Sequence, residues 1–254
     1  MGHHNHHFSG DPHASMGFWG TPTSAANFCE EDYAVTRYIA EFINSLTNLA
    51  YIYLALRHPR RPGAKKAFWP FDSMATALFI LGVFSGVFHA TMHQATQFCD
   101  ELAMIILGTA YLQKLYASGQ SPTMSWVISA LIVANSCFWG GVYVYTGNIL
   151  HHVYIFNTML AVIGVRTFYM FYGMGRSKEE KARLLRRYGK SLVILISGYV
   201  LWNIDLERCF ELRKIRGAIG MPWSWLLEFH GWWHVLTAVG ANEYILLVRE
   251  LCDS

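Results

Sequence analysis

Residues 71–93 read FDSMATALFILGVFSGVFHATMH. At 1.5 Å per residue this apolar run is long enough to cross the roughly 30 Å hydrocarbon layer of a bilayer, and it carries Ser85, His89 and His93 toward one end. Apolar stretches of the same kind recur on either side, at about 34–57, 98–118, 124–146, 149–172, 189–206 and 225–248. Counted together they predict an all-α integral membrane protein, a bundle of seven transmembrane helices joined by short loops. Composition agrees: of 254 residues 53% are hydrophobic and only 15% charged, against about 25% charged in soluble domains.

Ahead of the first span, residues 1–16 form a polar tail holding five of the twelve histidines and no apolar core of a signal peptide. Residues 17–254 then make a single domain. A net charge of +3, with basic residues confined to loops, gives no footprint for a nucleic acid. Five cysteines without a CxxC pair exclude a zinc ribbon. Trp19, Trp69, Trp223, Trp225, Trp232 and Trp233 fall near span ends, where an interfacial aromatic belt belongs.

Lys and Arg gather in two connections, Arg57, Arg60, Arg61, Lys65 and Lys66 in one and Arg176, Lys178, Lys181, Arg183, Arg186, Arg187 and Lys190 in the other. With alternating spans both lie on one side, so the positive-inside rule predicts a cytosolic C-terminus and a luminal or external N-terminus. The opposite side holds Arg37, Arg208, Arg213, Lys214 and Arg216, and also Cys29 and Cys209. Spacing alone leaves a disulfide and two free thiols equally open.

Two H-x-x-x-H pairs, His89/His93 and His230/His234, each set two imidazoles on one helix face. Alternation places the end of the second span, the start of the seventh and Asp100 at one depth on the non-cytosolic side. Three imidazoles with an open fourth position form a catalytic zinc set, although spacing does not select which three, and His151 and His152 are rivals. Ser85 lies one turn before His89 and is either an oxyanion donor or a small residue for close packing. Asn27, Glu30, Glu31, Asp32 and Glu41 supply hard oxygens suited to calcium, with an acidic helix start as the ordinary alternative. Glu41, expected more than two turns into the first span, requires a cation or hydrogen-bond partner.

The segments GFWGTPTSAANFCEEDYAVTRYIAEF, SGVFHATMHQATQFCDELAM, WNIDLERCFE and FHGWWHVLTAVG, in that order, resemble the alkaline ceramidases, seven-helix membrane amidases of the superfamily that includes the adiponectin receptors. The resemblance runs from about Gly17 to Glu250. It implies His89, His230 and His234 as zinc ligands, with His93 outside the set, and Ser85 and Asp100 as catalytic residues. It further implies a calcium site of Asn27, the Phe28 carbonyl, Glu30, Asp32 and Glu41, and a luminal disulfide between Cys29 and Cys209. Asn27 stands where an aspartate is expected, which weakens the charge of that site.

The implied activity is zinc-dependent hydrolysis of the N-acyl bond of ceramides to a sphingoid base and a fatty acid, in the endoplasmic reticulum or Golgi membrane. Its partners are then a lipid substrate and the bilayer. On this reading Glu41→Ala removes calcium stimulation and leaves zinc in place. A receptor-like sensor would keep the zinc ligands without hydrolysis, a haem carrier would show a Soret band, and a transporter would carry ionisable groups on both sides of the midplane.

Overall fold

The computed structural model describes residues 11–57 and 71–253. The basic residues expected at 60, 61, 65 and 66, Trp69 and the first ten residues of the polar tail lie outside the described residues. Among the described residues nine α-helices follow one another: α1 (Phe42–Thr47), α2 (Leu49–Leu56), α3 (Ser73–Thr91), α4 (Gln94–Ala117), α5 (Pro122–Thr146), α6 (Ile149–Tyr172), α7 (Lys178–Glu207), α8 (Cys209–Ile219) and α9 (Phe229–Asp253). Short 3₁₀ turns occupy Ala14–Met16 and Trp223–Leu227, and among the described residues there is no strand, only an isolated bridge between Thr36 and Ile39.

Four helices, α3, α5, α6 and α7, are long and apolar enough to cross a membrane. The 24-residue α4 and 25-residue α9 match them in length, but Asp100, Glu101, His230, His234 and Glu243 make them more polar. The first apolar stretch departs most from expectation. Its helix begins at Phe42 and not near residue 34, and Asn48 divides it into α1 and α2.

The missing turns have a physical reason. Residues 40 and 41 hydrogen-bond outward, Ala40 N–H to the Ala90 carbonyl at 3.0 Å and Glu41 N–H to the His89 carbonyl at 2.9 Å. They satisfy two carbonyls that the C-terminal end of α3 leaves without helical partners.

Sequence punctuation sets the other ends. Asp72 caps α3 through Ala75 N–H, Ser121 precedes Pro122 at the first turn of α5, Asn148 caps α6, and Ser177 caps α7 ahead of Glu179 and Glu180. Met92 ends α3 in the left-handed region at φ 50°, a conformation that costs a side-chain-bearing residue energy. Its carbonyl accepts the N–H groups of Thr23 and Ser24, so the N-terminal segment clamps the reversal just after His89.

Close helix approach brings the elements together. Gly82 and Gly86 form a GxxxG step on α3, and a methyl at Gly82 would sit 2.8 Å from Tyr51 Cβ and 2.9 Å from Ile52 Cγ1. In a bilayer such packing, rather than exclusion from water, holds helices together. The core beneath it is apolar, with Leu78, Leu115, Phe171, Leu184, Ile245, Leu247 and Leu251 fully buried among α3, α4, α6, α7 and α9. The outer sides of α5 and α6 expose Trp126, Leu131, Phe138 and Leu160, as lipid-facing surfaces do.

The two ends of the bundle differ. One carries ion pairs between α7 and α9, Arg183 with Glu250 at 2.7 Å and Lys190 with Glu243 at 2.9 Å. The other gathers the end of α3, the start of α4 and the start of α9, with the Cys29–Cys209 disulfide beside them at a Cα separation of 5.2 Å.

Candidate metal centre

His89 comes from the last turn of α3, and His230 and His234 come from successive turns at the start of α9. Their ring centroids are 4.9, 4.7 and 4.6 Å apart, and one nitrogen from each lies within 4.8 Å of the other two. All three are buried. A tetrahedral ion with bonds of about 2.0–2.1 Å holds its nitrogens about 3.4 Å apart, so small ring rotations close this triangle on one ion.

Neighbouring groups orient two of the rings. His89 Nδ1 lies 2.5 Å from Glu41 Oε2, and Glu41 is fully buried. His234 Nδ1 lies 3.0 Å from Thr47 Oγ1, whose own hydrogen goes to the Ile43 carbonyl at 2.9 Å. Thr47 is therefore an acceptor toward His234, which puts the ring proton on Nδ1 and leaves Nε2 bare. Such outer partners fix the tautomer of metal-binding histidines. His230 differs: Phe28 stacks on it at 3.6 Å and its Nδ1 is buried with no hydrogen-bond partner. Three imidazoles in contact, one with an orphaned nitrogen, form a donor set that a borderline-soft cation such as zinc satisfies.

Ser85, one turn before His89, is buried and hydrogen-bonded to the half-buried Asp100 carboxylate on the second turn of α4. Serine, aspartate and the imidazole cluster thus meet at one end of the bundle. The rival histidines of the sequence reading stay apart. His93 caps α4 and reaches the Trp19 carbonyl at 2.9 Å, His151 contacts Thr146, and His152 is buried beside Tyr143.

The acidic segment lies directly over the cluster. Asn27 Nδ2 donates to Asp32 Oδ2 at 3.1 Å, while Asn27 Oδ1 and Asp32 Oδ1 are buried without partners. Glu30 caps α1, accepting from Ile43 N–H at 2.7 Å and Asn44 N–H at 2.8 Å. Burial, reinforced by the charge of Glu41, pushes Glu30 up to about 8 and Asp32 up to about 7. Glu41 Oε1 accepts the Phe28 N–H at 3.2 Å, and its other oxygen faces Asn44 and His89. It therefore stands at the start of α1 and not two turns inside a helix, as its sequence position implied, and has the hydrogen-bond partners a buried carboxylate requires, bridging this segment and the His89 ring. Among the described residues the imidazole trio is the one His/Cys/Asp/Glu group whose ligand atoms lie close enough together to hold an ion.

Asp205 escaped the sequence reading as a site residue. Fully buried, it accepts the His230 N–H at 3.2 Å and the Cys29 N–H at 3.0 Å, capping α9 and tying it to the disulfide. A lone acid in an apolar span was the available signal. Arg216 completes the tie, buried against Glu228 and donating to the Cys29 carbonyl at 2.6 Å.

Comparison with known proteins gives the family of the chain. The ceramidase family model matches residues 20–253. The alkaline ceramidase YPC1 of Saccharomyces cerevisiae is 28% identical over 94% of this chain and 80% of its own. Alkaline ceramidase 3 of Mus musculus is 27% identical over 91% of this chain and 84% of its own, and the alkaline ceramidase of Arabidopsis thaliana 24% identical over 91% and 86%. With nearly the whole chain matched and the site residues drawn together, the protein belongs to the ceramidase family of enzymes.

Proposed function

We propose that this protein is a seven-span membrane amidase that hydrolyses the N-acyl bond of ceramides, with zinc held by His89, His230 and His234. The observation that carries the proposal is the buried imidazole trio with Ser85 and Asp100 at its edge. Counting α1 and α2 as one broken span, the helices α3, α4, α5, α6, α7 and α9 complete seven. A two-chain lipid can keep its tails in hydrocarbon while its amide meets a site near the end of the bundle.

When bound, zinc would supply Lewis-acid chemistry, polarising the amide carbonyl and lowering the pKa of water toward about 7. Asp100, hydrogen-bonded to Ser85 one turn from His89, accepts the proton of the attacking water and returns it to the departing nitrogen. The Ser85 hydroxyl turns from Asp100 to the amide oxygen as negative charge gathers there, a contribution on the order of 10²–10³ in rate. Glu41 and Thr47 hold His89 and His234 in the tautomer that presents Nε2.

We further propose that Asn27, the Phe28 carbonyl, Glu30, Asp32 and Glu41 take a calcium ion. The orphaned oxygens of Asn27 and Asp32 support this, and Glu30 and Glu41 keep spare lone pairs beside their present hydrogen bonds. The end carrying the disulfide is assigned to the lumen of the endoplasmic reticulum or Golgi and the α7–α9 ion-pair end to the cytosol. Supporting this, Arg213 and Arg216 at the disulfide end are neutralised by Asp11 and Glu228, whereas Lys178 and Arg186 at the opposite end are exposed.

The test is ceramide hydrolysis by the purified chain, followed as released sphingoid base before and after zinc removal by a chelator. Activity should vanish on removal and return with zinc. Undiminished hydrolysis by metal-free protein would refute the proposal.

A further inference from the structure

A second polar group lies beside Asp100, outside the metal trio and facing α5 and α6. Glu101 Oε1 accepts from Gln97 Nε2 at 3.0 Å, and Glu101 Oε2 accepts from the Tyr143 hydroxyl. His152, on the first turn of α6, is buried at 6% exposure with its ring 5.6 Å from that of Tyr143. One of its nitrogens faces the Glu101 backbone carbonyl and must donate to it, while Nε2 is buried without a partner. Glu101, Tyr143 and His152 lie within about two turns of the start of α4, the end of α5 and the start of α6, and α4 starts directly after the end of α3 that carries His89.

The chemistry of what is missing can be read from these atoms. Nε2 of a His152 whose other nitrogen donates is an acceptor, and the Glu101 carboxylate, with about four lone-pair sites, has used two. Unfilled acceptors and no spare donor call for a ligand that brings hydrogens of its own. Polar groups in apolar spans are expensive to keep and mark functional sites. Hydrolysis of a secondary amide by one water yields a carboxylate and a primary ammonium, so the amine half leaves as a cation carrying three N–H donors. A sphingoid base adds hydroxyls next to that nitrogen.

We infer that Glu101, Tyr143 and His152 form a subsite for the polar head of the sphingoid base, taking its hydroxyls in the substrate and its hydroxyls and ammonium in the product. This rests on the ceramide reading above and deepens it: Asp100 turns toward Ser85 and the reacting bond, while the adjacent Glu101 turns toward the group released. His152 is the specificity-determining member because it is an acceptor with nothing else to bind.

The experiment measures equilibrium binding of two probes to the full chain in nanodiscs, an aminodiol with a dodecyl chain and the matching dodecylamine. Wild type should prefer the aminodiol by about tenfold, the effect of one hydrogen bond between strong partners. His152→Leu and Glu101→Gln should each abolish that preference while leaving dodecylamine binding to His152→Leu unchanged. Equal binding of both probes to wild type, or a preference that survives in His152→Leu, would overturn the subsite. If Glu101→Gln does not fold, His152→Leu decides alone. Ceramide hydrolysis is assayed in parallel: binding preference without hydrolysis would refute the amidase reading and leave the subsite standing, whereas hydrolysis without preference would do the reverse.

Discussion

At the scale of single residues, the group with most consequence is Glu41. Its contact with His89 Nδ1 at 2.5 Å argues against the separation between calcium and zinc effects that the family resemblance implied. Glu41→Ala should lower zinc affinity itself, and Thr47→Val, which removes the acceptor for His234 Nδ1, should do so without touching the acidic segment. Loss of such an outer partner typically weakens metal binding 10–100-fold. Competition with a zinc chelator measures both; a Thr47→Val protein that holds zinc as tightly as wild type would remove Thr47 from the site. The two H-x-x-x-H pairs were legible in sequence because helical spacing and a shared depth are local or topological signals, but spacing left open which three imidazoles belong together, and only the family resemblance pointed to His89, His230 and His234. The contacts of Glu41, Thr47 and Asp205 were not legible, since their partners lie 48, 187 and 25 residues away and no spacing rule spans such distances.

At the scale of elements, α3 and the broken first helix decide whether the trio forms. Gly82→Val would force a methyl-sized group to within 2.8 Å of Tyr51 Cβ, on the helix pair that also carries Thr47. Overpacking of this kind destabilises by about 1–3 kcal/mol. Gly82→Val should therefore lower the midpoint of thermal unfolding and loosen zinc together, and an unchanged midpoint would mean that α2 and α3 need no close approach. Helix existence was readable from apolar length. The start of the first helix was misread because residues 34–41 look apolar enough to be helical, yet the open carbonyls of α3 capture the backbone of Ala40 and Glu41. The amphipathic α8 fell within a stretch treated as a loop, its eleven residues being too short for a span signal.

The acidic segment adds a prediction about pH. Without a cation, Glu30 and Asp32 hold protons up to about 8 and about 7, far above ordinary carboxylates. The cation-free fold thus binds more protons than the unfolded chain between about pH 4 and 8, and loses stability as pH rises through that window. Calcium must displace these protons, so its binding strengthens with pH. Thermal stabilisation by calcium should be large at pH 8.5 and small near pH 6. Stabilisation of equal size at both would show that neither carboxylate is a ligand.

For the whole molecule, the bundle is polarised: ion pairs close one end, and every group assigned to chemistry meets at the other beside the disulfide. Opposed helix directions make this possible, because α3 finishes where α4 and α9 begin. The proposed chemistry requires three imidazoles from α3 and α9 to share one zinc ion. Zinc K-edge absorption on purified wild-type chain tests it most directly. One zinc per chain with three nitrogen neighbours at about 2.0–2.1 Å, lost in His230→Ala, is the expected result. A hydrolytically active protein without stoichiometric zinc, or with a shell of sulfur or of six oxygens, would contradict it.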